Sequence, residues 1–313
     1  MQFAITINSK DIFPIITLTD TFTKTEAEIY AFGALLNAFK INTDTATVNI
    51  VDGFSNANEA FYNITNGFKS AKLSPFTCRM DHGEYSLKEN DFKIEKFYLG
   101  EHAIHGIIYD TVFEVLTTHA DDNSASVGLK MNYSGTDKGY PFAFELLVNW
   151  KLEKNNKLSV KTTVIHHNNQ PIPYADGWHP YFTLGNSVNN YMLQFDSNTM
   201  LEFDGSLIPT GNTITDTRFL NGIALNDIFL DNCFVLSTDT TPKCTISNHQ
   251  LSLTIQPDIN YPYLQLYTPD HRNSIAIENL SGAPDCFNNG IGLLLLEPNK
   301  LYSFSTSYTA KKI

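Results

Sequence analysis

Glu278 follows the apolar run Ser274-Ile275-Ala276-Ile277, and a Pro/Gly/Asn-rich loop from Ser281 to Gly290 comes almost at once after it. That places an acid at the end of a buried strand, where a rigid scaffold can hold it at the lip of a pocket. Carboxylates are rarely buried alone, so such a placement is either compensated or used. A second segment, Ala175-Asp176-Gly177-Trp178-His179-Pro180-Tyr181-Phe182, sets His179 between aromatic residues just before a turn. One acid and one imidazole on separate strand ends are the minimum equipment for general acid–base chemistry.

Three more polar residues stand beside turns and aromatics. Arg79 lies in the stretch from Leu73 to Tyr85, His105 in His102-Ala103-Ile104-His105-Gly106-Ile107-Ile108-Tyr109, and Asp231 in Asp227-Ile228-Phe229-Leu230-Asp231-Asn232-Cys233-Phe234. Singly, each reads as an ordinary structural residue: an arginine with a buried stem, a core histidine, a turn aspartate. Together they are the mixture from which sugar sites are built, with aromatic faces against C–H surfaces and Arg, His, Asp and Glu against hydroxyls. Other chemistries lack their motifs. The nine histidines include His102 and His105, three apart, and the adjacent His166 and His167. On strands neither spacing puts two side chains on one face, because same-face neighbours are two apart. With no HxH and no CxxC, neither a metal centre nor a cofactor is expected. There is no GxxxxGK[ST] or GxGxxG for a nucleotide and no GxSxG elbow for acyl transfer.

The elements that must position these residues read as strands. Phe3, Ile5 and Ile7 alternate, as do Leu158, Val160, Thr162 and Val164, and Leu251, Leu253 and Ile255. Turn signals separate them: Asp52-Gly53, Asp81-His82-Gly83, Lys154-Asn155-Asn156-Lys157, Asp204-Gly205 and Ser247-Asn248-His249. Leu146–Leu152, a turn and Leu158–Ile165 make a long hairpin. Thr25 to Lys40 resists the pattern: its Ala, Leu and Glu content favours a helix, yet its spacing also permits two short strands joined at Gly33. No repeat, linker or charge block marks a boundary, so residues 1–313 read as a single all-β domain of the sandwich type.

Composition narrows the partners. The 313-residue chain is 42% hydrophobic and 12% aromatic, with a formal net charge of −12. No basic patch is visible, so nucleic acid and anionic membrane surfaces are not expected partners. The arginines are only Arg79, Arg218 and Arg272, which argues against dedicated phosphate recognition. The scattered cysteines Cys78, Cys233, Cys244 and Cys286 read as buried small hydrophobes in a reducing compartment. The N-terminus shows no secretory signal, and no stretch approaches the roughly 18 apolar residues of a membrane span, so a cytoplasmic protein is expected. The spacing carries no signal about oligomeric state.

The motifs resemble those of the aldose 1-epimerases, or galactose mutarotase-like proteins. The blocks are Pro-Phe…Arg…Asp-x-Gly-x-Tyr around Arg79, the His-Gly of His105, Gly-x-His-Pro-Tyr-Phe at His179, Asp-x-x-Phe at Asp231, and Ile-Glu…Pro-Asp-x-Phe-Asn-Asn-Gly around Glu278, in the family's order. Gly292-Leu293-Leu294-Leu295-Leu296-Glu297-Pro298 is similar to the family's ending, so the likeness spans essentially the whole chain. It implies a large antiparallel β-supersandwich and two strands around Gly33. It also implies Glu278 as general base, His179 as general acid, and Arg79, His105 and Asp231 as sugar-binding residues. The implied activity interconverts the α and β anomers of a free aldose, a small-molecule sugar being the partner. Two departures, Cys78 where Asn often precedes the arginine and Asn279-Leu280 after the acid, bear on substrate identity rather than on the acid–base pair. Alternatives are a hexose-6-phosphate 1-epimerase, which would need a cationic pocket, and a non-catalytic sugar-binding or sensing domain, which would have no need of Glu278 with His179.

Overall fold

The structure, a computed structural model, describes residues 1–43, 46–237 and 243–313. Strands dominate it, and the long ones alternate as the sequence does. Leu251–Pro257 buries every second side chain from Leu251 onward, and Phe144–Glu153 does the same from Phe144. The predicted hairpin joins Phe144–Glu153 to Lys157–Ile165, with Leu152 opposite Leu158 and Leu146 opposite Val164. Its connection has left-handed backbone at both Asn155 and Asn156, a conformation that asparagine tolerates better than most residues.

These strands belong to a nine-stranded antiparallel sheet that also contains Tyr302–Lys312 and Leu251–Pro257. A second large sheet runs through Thr199–Phe203, Asp231–Val235, Tyr263–Tyr267, Ile275–Leu280, Gly177–His179 and Ala71–Leu73. A five-stranded sheet is built from the N-terminal residues Phe3 to Asn49. The principal apolar cluster draws side chains from Phe3 through Ala310. This is the expected all-β sandwich of large antiparallel sheets.

The ambiguous segment forms strands, not a helix. Thr25–Tyr30 pairs antiparallel with Leu36–Asn42, placing Ala27 opposite Phe39. Gly33 and Ala34 turn the chain with φ of 64° and 50°. A Cβ on Gly33 would meet the Tyr109 carbonyl oxygen at 2.5 Å, so glycine is required there by space as well as by conformation. The Ala34 carbonyl accepts from the Trp150 indole at 2.9 Å, which fastens this turn to the nine-stranded sheet. Tertiary contacts thus override local helix propensity.

Two positions differ from the sequence reading. Glu278 does not end its strand: it is internal to Ile275–Leu280, and the loop begins at Ser281. Ile7 is 41% exposed, so the burial of the first strand fades along its length.

Candidate functional site

Alternation along two neighbouring strands brings the acid and the imidazole together. In Gly177–His179, Trp178 turns into the core, with its ring 5.5 Å from Trp150, so His179 faces the opposite side. In Ile275–Leu280, Ile277 joins the same core and Glu278 faces away from it. Gly177 pairs with Leu280, and Tyr181, just beyond Pro180, pairs with Ala276. His179 Nε2 lies 3.3 Å from Glu278 Oε1, with the side chains 6% and 2% exposed.

A buried polar network holds the backbone immediately before His179. The Lys72 ammonium contacts the Asp176 carboxylate directly, both fully buried, and donates to the Gly177 carbonyl at 3.1 Å. Tyr174 and Tyr261 donate to Asp176 at 2.9 and 2.5 Å, and the Asp176 amide donates to the Ser281 hydroxyl at 2.8 Å. Lys72 also sits 4.5 Å from the Trp178 ring centroid. Burial pulls the Lys72 pKa down to about 8, while Asp176 opposes that shift. Every charge in the network has its counterpart, which is the condition for tolerating charge in a core.

The remaining candidates arrive on short loops. Arg79 opens the two-residue strand Arg79–Met80, paired with Ile104, and its carbonyl accepts from the Asp285 amide at 2.7 Å. Cys78 and His105 are both left-handed, with φ of 51° and 63°, and the His105 amide donates to the Cys78 carbonyl at 2.9 Å. The next residue, Gly106, has φ of 75° and passes so close to Ser74 that a Cβ would lie 2.2 Å from its carbonyl oxygen. Asp231 begins the strand Asp231–Val235, and its carboxylate accepts from Gln265 at 2.8 Å.

Arg79, His105, His179, Asp231 and Glu278 all line one cavity of about 340 Å³, within the range of small-molecule sites. Phe68, Tyr181 and Tyr267 add aromatic surface to its wall. The His179 ring stacks on Tyr181 at 4.9 Å and meets His105 edge-on at 4.8 Å. The sequence reading passed over Phe68, Tyr181, Gln265 and Tyr267 as lining residues. Gln265 did leave a trace: it is the polar centre of the buried strand Tyr263–Tyr267, directly opposite Glu278.

Burial dominates the electrostatics. It pushes the Glu278 carboxyl well above the usual carboxylate range, and the Asp231 charge adds to the effect. It pulls His179 down to about 4 and His105 well below an ordinary histidine, with His179 and Arg79 contributing to the latter. Asp231 is raised by burial, against the opposing pull of Arg79 and Gln265. Several buried polar atoms around the cavity have no protein partner among the described residues: His105 Nδ1, His179 Nδ1, Gln265 Oε1 and Glu278 Oε2. The structure also gathers groups that linear spacing keeps far apart. Donor atoms of Cys78, His105 and Glu278 lie within 4.8 Å of one another.

Fold and cavity together define a large antiparallel β-sandwich protein with a cavity of small-molecule size lined in part by one of its sheets. A model of the family described as aldose 1-epimerase matches residues 14–309, and the chain belongs to that family. Its activity is accordingly that of an isomerase of the epimerase class. It is 28% identical over 238 residues to the uncharacterized protein YihR of Escherichia coli (strain K12), covering 73% of this chain and 74% of that one. An aldose 1-epimerase of Streptococcus thermophilus is 25% identical over 237 residues, covering 66% and 63% of the two chains. In fold, the chain is similar to a galactose mutarotase-like protein from Clostridium acetobutylicum, with a TM-score of 0.86, 18% identity, and 99% and 98% of the chains covered. The galactose 1-epimerase from Lactobacillus acidophilus NCFM gives a TM-score of 0.84 at 16% identity, covering 100% of this chain and 99% of that one.

Proposed function

We propose that this protein interconverts the α and β anomers of a free aldose, with Glu278 as general base and His179 as general acid. The observation that carries the reading is the 3.3 Å approach of these two buried side chains at one wall of the cavity. Ring opening takes a proton from the anomeric hydroxyl and gives one to the ring oxygen. Those two oxygens share a single carbon, so acid and base must stand side by side rather than on opposite walls. The Glu278–His179 contact meets that demand.

The pair carries one proton between its two sites. Glu278 accepts the proton of the anomeric hydroxyl while protonated His179 donates to the ring oxygen, and the C1–O5 bond breaks. The pair is then neutral at both sites, which is the state burial favours. Rotation about C1–C2 and reversal of the two transfers close the ring to the other anomer. Positioned general acids and bases each contribute about 10²–10⁴-fold. Arg79, His105 and Asp231 bind and orient the remaining hydroxyls, and Phe68, Tyr181 and Tyr267 offer faces to sugar C–H surfaces.

A free aldose fits the cavity better than a sugar phosphate. Arg79 is the only arginine or lysine among the described residues lining it, and it lies among the carboxyls of Asp231 and Glu278. The core cluster joining Phe3 to Ala310 supports one domain over the whole chain. The four cysteines, all buried and free, support a reducing compartment, the cytoplasm. Among the described residues no helix is long and apolar enough to cross a membrane. Polarimetry on freshly dissolved α-glucose and α-galactose, with glucose 6-phosphate alongside, tests the reading. Accelerated mutarotation of a free sugar is expected; acceleration confined to the phosphate, or sugar binding without acceleration, would overturn it.

A further inference from the structure

Cys78, His105 and Glu278 form a cluster for which the acid–base mechanism offers only a partial use. The mechanism employs the Glu278 carboxylate and leaves the Cys78 thiol idle. All three side chains are buried and line the cavity, with donor atoms within 4.8 Å of one another. Around a tetrahedral zinc ion, with metal–ligand distances of about 2.0–2.3 Å, donors stand roughly 3.3–3.8 Å apart. Closing the cluster on an ion therefore takes side-chain shifts of about 1 Å. The backbone is prepared to hold two of the ligands. Cys78 and His105 sit on facing left-handed turns joined by the 2.9 Å hydrogen bond from the His105 amide to the Cys78 carbonyl. His105 Nδ1 and Glu278 Oε2, buried and without protein partners among the described residues, point independently to a missing ligand.

We infer that Cys78, His105 and Glu278 bind a single thiophilic divalent cation of the zinc class, with its open coordination position facing the sugar cavity. A thiolate, an imidazole and a carboxylate select zinc or cobalt over magnesium or calcium, which prefer oxygen donors alone. Cys78 gives up its thiol proton on binding. The ion also takes the Glu278 carboxylate away from proton transfer, so the site acts as an inhibitory switch. That consequence, unlike the site itself, rests on Glu278 being the base.

The test uses the full chain, stripped with EDTA and desalted, then titrated with zinc and, separately, with cobalt. One equivalent of either ion is expected to bind, with cobalt giving a thiolate-to-metal charge-transfer band in the near ultraviolet. Mutarotation should fall in proportion to zinc occupancy and return when EDTA is added. Cys78→Ser should abolish the band and weaken zinc binding at least tenfold. Should that variant fail to fold, His105→Asn should weaken binding at least tenfold while keeping the band. Absence of the band in the parent protein would overturn the inference. So would undiminished zinc affinity in both variants, which would move the ion to the group of exposed Asp81 and His82 with the half-buried His102. A cobalt band lost in Cys78→Ser, with turnover untouched by zinc, would keep the metal site and instead contradict Glu278 as base.

Discussion

Glu278 and His179 face each other at 3.3 Å in a setting that penalises charge on either, so their protonation is a property of the pair. Asp231 pushes the Glu278 carboxyl further up, and Arg79, His105, the Cys78 thiol and the Tyr181 and Tyr267 hydroxyls are the other titratable groups among the described residues that share the cavity. With His179 pulled down to about 4 and Glu278 pushed up, the singly protonated pair spans the pH range between those limits. Below that window Glu278 and His179 both hold protons and the base is lost; above it neither does and the acid is lost. In metal-free protein the acid limb of kcat/KM should therefore fall near pH 4 rather than near the 6.5 of an ordinary histidine. An acid limb at 6.5 would assign the pH dependence to a solvated group. Substitution separates the two histidines. His179→Asn should lower kcat by about 10² or more, whereas His105→Asn should raise KM as well as lower kcat. Equal, modest rises in KM for both, with kcat intact, would make His179 a binding residue and move the search for the acid to Asp231.

At the scale of elements, the site depends on the strand Gly177–His179 being locked by charges buried beneath it. Lys72→Met keeps the side chain's bulk but leaves the Asp176 carboxylate without its cation in a dry setting. A loss of about 3–5 kcal/mol in urea-unfolding free energy is expected, as when one partner of a buried ion pair is removed. A loss under about 1 kcal/mol would mean that the Tyr174 and Tyr261 hydroxyls alone satisfy Asp176. The placement of His179 at a strand end, between aromatic residues and before a turn, was legible because it needs only local information, whereas the Trp178/His179 alternation that aims the imidazole at the cavity appears only in the fold. The strand's partners were not legible. Nothing local says that Glu278 is internal to its strand, or that Gln265 lies opposite it, since both follow from register between distant segments. The Thr25–Lys40 segment makes the same point from the other side. Its composition favoured a helix, and the Trp150 bond to Ala34 together with the close approach of Tyr109 to Gly33 favoured strands. The helix Ala57–Asn63 went unread, although Asn56, which accepts from the Glu59 amide at 2.9 Å, and Glu59 three positions on form a local capping signature.

Across the whole molecule, the large sheets bury apolar faces, and segments from distant parts of the chain meet at the cavity that holds Glu278 and His179. The residues around it lie between Thr65 and Pro284, which is why the five candidate residues could be picked out by type while their convergence could not. Cys78, His105 and Glu278 illustrate the limit: linear spacing gave no reason to expect a metal cluster, and folding brings their donor atoms within 4.8 Å of one another. The burial of all four cysteines gives a global check, since a thiol reagent should react slowly with native protein and titrate four thiols per chain in denaturant. Fewer than four in denaturant would reveal a disulfide. The central claim, that the cavity moves protons through Glu278, is tested most directly by polarimetry on Glu278→Gln beside the parent protein. Glutamine keeps the size and one accepting oxygen of glutamate but cannot take up the proton. Enzyme-driven mutarotation should fall by about 10² or more while sugar affinity stays within about tenfold; near-parental mutarotation in Glu278→Gln would contradict the account.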